Sequence, residues 1–99
     1  MIRREVRVAD SFFADLDRQL GDERGADGRP STTDFLLIDL PAVIHRFATG
    51  FDELPLIRAG TPELRVMIGS AVLARAFVAQ GLEVSPGVVQ LIGIELDLG

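Results

Sequence analysis

Polar and apolar residues alternate at a period of two over Glu5, Val6, Arg7 and Val8, which predicts a short half-buried strand. Asp10 and Ser11 offer an N-cap directly ahead of Phe12. From there Phe12, Phe13, Leu16 and Leu20 recur at helical spacing, while Asp15, Asp17 and Arg18 take the other side. A helix with one apolar stripe is therefore expected, closed by Gly21 as a C′ glycine. Residues 22–30 hold two glycines, a proline and five charges and read as an exposed loop. Ser31, Thr32, Thr33 and Asp34 then supply caps and an acidic first turn for a second helix over 35–39. Pro41 lacks an N–H and crowds the carbonyl of Leu37, so a kink or a split into two short helices is expected there. Leu40, Val43, Ile44, Phe47 and Phe51 continue as one stripe beyond it, and Gly50 is expected to end the helical run.

Past Leu54 the period changes. Residues 64–68 read as a strand, Gly69-Ser70 as a tight turn, and 72–79 as a nearly all-apolar strand with Arg75 inside it. Residues 81–87 read as a connection, and 88–98 as a last strand with Ile92, Ile94, Leu96 and Leu98 on one face and Leu91, Gly93, Glu95 and Asp97 on the other. Helices first and a meander after them predict a single α+β domain over 1–99, with an N-terminal strand and helices on one face of an antiparallel sheet of about four strands. The expected core is Phe12, Leu16, Leu20, Val43, Phe47, Val66, Ile68, Leu73, Phe77, Ile92 and Ile94.

The 99-residue length allows one core and excludes a multidomain enzyme. With no cysteine, disulfides and thiolate metal sites are excluded. A net charge of −5 argues against a surface that tracks a phosphate backbone by bulk charge, so any contact with nucleic acid must use a local basic patch. The arginines near the N-terminus have no apolar run behind them and no stretch reaches membrane-spanning length, so no membrane association and a cytoplasmic location are expected.

The candidate chemistry is sparse. His45 is the one histidine and could serve as a general base, but its spacing reads as a partly exposed helix residue, and no metal or cofactor motif accompanies it. Glu95 and Asp97 resemble paired carboxylates, yet their spacing reads as a solvated strand face. Arg58, Arg65 and Arg75 lie in the sheet-forming half, where a guanidinium fork suits phosphate. A two-residue turn at Gly69-Ser70 would set Arg65 opposite Ala74 and put Arg65 and Arg75 on opposite sides of the sheet. A three-residue turn would set Arg65 directly across from Arg75.

The order strand, helix, broken helix, meander carries three strings: Pro62-Glu63-Leu64-Arg65-Val66, Ala74-Arg75-Ala76-Phe77 and Val88-Val89-Gln90-Leu91-Ile92-Gly93. Together they resemble the RelE/ParE toxin superfamily, its HigB-type branch in particular, over nearly the whole chain. The resemblance implies the toxin of a type II toxin–antitoxin pair, a ribosome-dependent mRNA endonuclease held by an antitoxin protein. It also implies Arg65 and Arg75 as the catalytic pair, one contacting phosphate and one stabilising developing charge. The chain departs from that branch in lacking its basic C-terminal segment and in having neither lysine nor tyrosine. The alternative is a non-catalytic protein-binding module on the same fold. The apolar last strand further predicts a homodimer, with the contact on its Ile92, Ile94 and Leu96 side.

Overall fold

A computed structural model of the chain describes residues 3–21, 25 and 30–98. Four strands, β1 (Glu5–Val8), β2 (Leu64–Gly69), β3 (Ala76–Ser85) and β4 (Val88–Asp97), form one sheet in the order β1-β4-β3-β2. The meander is antiparallel as expected, whereas β1 joins β4 in parallel, so the sheet is mixed. Three helices, α1 (Asp10–Gln19), α2 (Thr32–Ile38) and α3 (Leu40–Gly50), accompany it, with a short 3-10 turn over Phe51–Glu53. The result is an α+β fold that does not close into a barrel.

Local chemistry explains the helix ends. Ser31 and Asp34 form a reciprocal capping box at α2, with the Asp34 N–H donating to the Ser31 hydroxyl and the Ser31 N–H to the Asp34 carboxylate. Pro41 sits in the first turn of α3, where its missing N–H costs nothing, and the helical run divides into two at Asp39. At α1 the expected cap fails. The helix begins at Asp10 after an uncapped Ala9, and the Ser11 hydroxyl donates instead to the Ile92 carbonyl at 2.6 Å. Gly21 takes no left-handed conformation, pairing instead with Ser31 in a parallel bridge.

That bond belongs to a series. Past Leu91, β4 has lost its β1 neighbour, and Ser11, Asp15 and Gln19, spaced four apart on α1, bond the exposed edge. Asp15 accepts from Ile94 N–H (3.0 Å), while Gln19 donates to Ile94 O (2.8 Å) and accepts from Leu96 N–H (2.6 Å). These side chains occupy the groups that a second strand would need. The expected contact on the Ile92, Ile94 and Leu96 side is therefore corrected. Ile94 is buried, Leu96 packs on the core, and α1 holds the edge beside them.

The register also differs from expectation. The connection after β2 runs through residues 70–75, not Gly69-Ser70 alone, and β3 continues to Ser85 through the expected connection at 81–87. Arg65 consequently faces Gly81. A bulge on β4 lets Gly81 pair with Leu91 but Gln80 with Gly93, leaving Ile92 as the extra residue. The bulge resets the alternation, so Leu91 and Ile94 are both buried while Ile92 is half-buried. Pro86-Gly87, with Gly87 at φ 80°, makes the β3–β4 turn.

The core holds Phe12, Leu16, Leu20, Val43, Phe47, Phe77 and Ile94 as expected, joined by Phe35, Phe51, Val89 and Leu91. Val66 and Ile68 do not join it. On β2 the residues opposite buried Gly81, Ala79 and Phe77 are Arg65, Met67 and Gly69, which turns Leu64, Val66 and Ile68 to the uncovered face, with Ile68 at 68% exposure. Leu73 lies in the 70–75 connection and is half-buried. Gly81 is the close-approach point between α3 and the sheet, since a Cβ there would collide with the buried Phe47 ring. Gly81→Ala is expected to cost about 1–3 kcal/mol by overpacking. Urea unfolding checks this, and an unchanged midpoint would contradict the contact.

Candidate functional site

Two guanidinium groups converge on one phenyl ring at the end of the sheet where the β3–β4 turn lies. Arg4 lies 5.0 Å and Arg65 5.7 Å from the centroid of buried Phe51. Arg4 precedes β1 and is drawn in by Glu83 (2.7 Å) and Asp52 (3.0 Å). Glu83 also accepts from the Gly87 N–H, which ties the turn to the same cluster. The hydrogen bond that Arg4 donates to Glu83, opposed by some burial and aided by Asp52, raises the Arg4 pKa above the ordinary arginine value. A raised arginine contributes its stability at every pH below that ordinary value and loses it only in strong alkali, so this pair does not make the fold sensitive near neutrality.

Arg65 has a different set of partners. Its Nε donates to Pro62 O at 2.8 Å, and one terminal nitrogen to Leu54 O at 2.9 Å and Asp52 O at 3.3 Å. These carbonyls belong to the segment between the 3-10 turn and β2, so the fork fastens that segment to the sheet. The edge of β2 is covered alongside, where Val66 N–H donates to Pro55 O and Leu56 bridges to Arg65. An open cleft of about 430 Å³ adjoins the cluster, lined by Arg4, Glu63, Glu83, Ser85, Pro86 and Gly87. Among the described residues its lining contains no histidine, and the one cation there, Arg4, is already held by two carboxylates.

Arg75 is elsewhere. It lies just before β3, exposed, its backbone N–H donating to Asp97 O at 2.8 Å. Arg65 faces Gly81, six positions further along β3 from Arg75, so the two are separated by roughly 20 Å of strand. The structure does not bring them into one site. Neither expected register holds, because the longer 70–75 connection shifts the pairing. Arg58 lies in an exposed turn and His45 on the exposed face of α3. Glu95 and Asp97 fall on the exposed end of β4, Glu95 accepting from Arg18 at 3.1 Å. The hydrogen bonds that Arg18 donates to Asp15 and then to Glu95 raise its pKa.

Among the described residues no three His, Cys, Asp or Glu side chains gather as a metal site. No helix among the described residues is long and apolar enough to cross a membrane. Sequence reasoning missed Arg4 and Glu83, which are far apart in the chain and carry no motif, and saw Phe51 only as a member of the apolar stripe. It also missed Asp39, a buried carboxylate at the α2–α3 break that accepts the Val72 N–H (2.8 Å) and the Leu73 N–H (2.9 Å). The acid two residues ahead of a helix-breaking proline was the available signal. No family model, curated protein or solved structure matches the chain, so the reading of these clusters rests on their geometry.

Proposed function

We propose that the chain is a protein-binding module on the small α+β fold of a toxin–antitoxin protein, a divergent relative in design of the RelE/ParE-like toxins rather than a working endonuclease. One observation carries this reading: Arg65 binds backbone carbonyls and stacks on Phe51, while Arg75 stands at the far end of the strand. Cleavage of a phosphodiester needs the charges that stabilise its transition state to converge on one phosphate. Two guanidinium groups roughly 20 Å apart do not. The acidic balance of the chain, net −5, weighs the same way against a ribosomal RNA or mRNA surface.

The second reading is the ribosome-dependent mRNA endonuclease restrained by an antitoxin protein, favoured by the element order of strand, helix, divided helix and meander. Induced expression in a bacterial host, with mRNA cleavage followed in a cell-free translation reaction, separates the two. The binding reading expects normal growth and intact message. In that case Arg65→Ala lowers thermal stability through the lost carbonyl bonds, by about 1–3 kcal/mol, and Arg75→Ala changes it by less than about 0.5 kcal/mol. Ribosome-dependent cleavage abolished by Arg75→Ala would establish the endonuclease instead.

A further inference from the structure

We draw no further inference here: the strongest candidate, the open face of the sheet where Leu64, Val66 and Ile68 of β2 lie beside Leu82 and Val78 of β3, is an unpartnered apolar surface, and nothing in the structure shows what covers it.

Discussion

Phe51→Ala should remove about 3–5 kcal/mol of folding stability, the range for emptying a fully enclosed aromatic site. For a domain of this size the whole margin is about 5–15 kcal/mol, so a large part of it would go. Phe51 is 1% exposed and packs at 6.4 Å from Phe47, so its loss opens the core where α3 passes into the 3-10 turn. It is also the surface against which Arg4 and Arg65 stack, and removing it leaves both guanidinium groups without their flat partner. Urea unfolding followed by circular dichroism measures the change. Phe51→Leu, which keeps most of the volume and loses the ring face, should recover more than half of it. A loss below 1 kcal/mol for Phe51→Ala would mean that the ring does not join the helices to the sheet end.

Asp39→Ala comes next, at about 2–3 kcal/mol, because charge-assisted bonds to two backbone donors disappear together. Asp39 is 6% exposed and holds Val72 N–H with one oxygen and Leu73 N–H with the other. The 70–75 connection carries few other ties; within it Ala71 N–H reaches Ala74 O at 3.2 Å. Asp39→Asn keeps one acceptor and should lose about half as much. Amide exchange distinguishes a local tie from a general weakening. Protection at Val72 and Leu73 should fall further than at Val89 and Leu91 in the core of β4. Unchanged exchange at Val72 and Leu73 would rule out the carboxylate as their anchor.

Both sites join segments distant in the chain, and this explains why they were hidden in the sequence. Periodicity reports which face of an element is apolar; it does not report what the other end of a side chain will reach. Phe51 was legible as the last member of the α3 stripe, but Arg4 and Arg65 meet it only because β1 and β2 begin at the same end of the sheet. Arg65 and Arg75 were selected because arginine suits phosphate. Whether they shared a site depended on the turn between β2 and β3, and the side chain that shapes that turn is Asp39, thirty-odd residues earlier.

What the chain determined by itself is local in origin. The strand at Glu5–Val8, the capping box of Ser31 and Asp34, the division of the helical run at Pro41 and the stripe through Val43, Phe47 and Phe51 follow from backbone sterics, caps and side-chain period. The α+β class follows from the order of those elements. The tertiary structure alone decided register, the burial of β2 and the fate of the two sheet edges. The bulge at Ile92 depends on the pairing with β3, and the approach of Phe47 over Gly81 and the bonds from Ser11, Asp15 and Gln19 to the edge of β4 each need a partner more than thirty residues away. A period-2 pattern cannot say which face of a strand is covered when both faces are apolar, and on β2 the helices cover the face bearing Arg65, Met67 and Gly69 while leaving the aliphatic one bare.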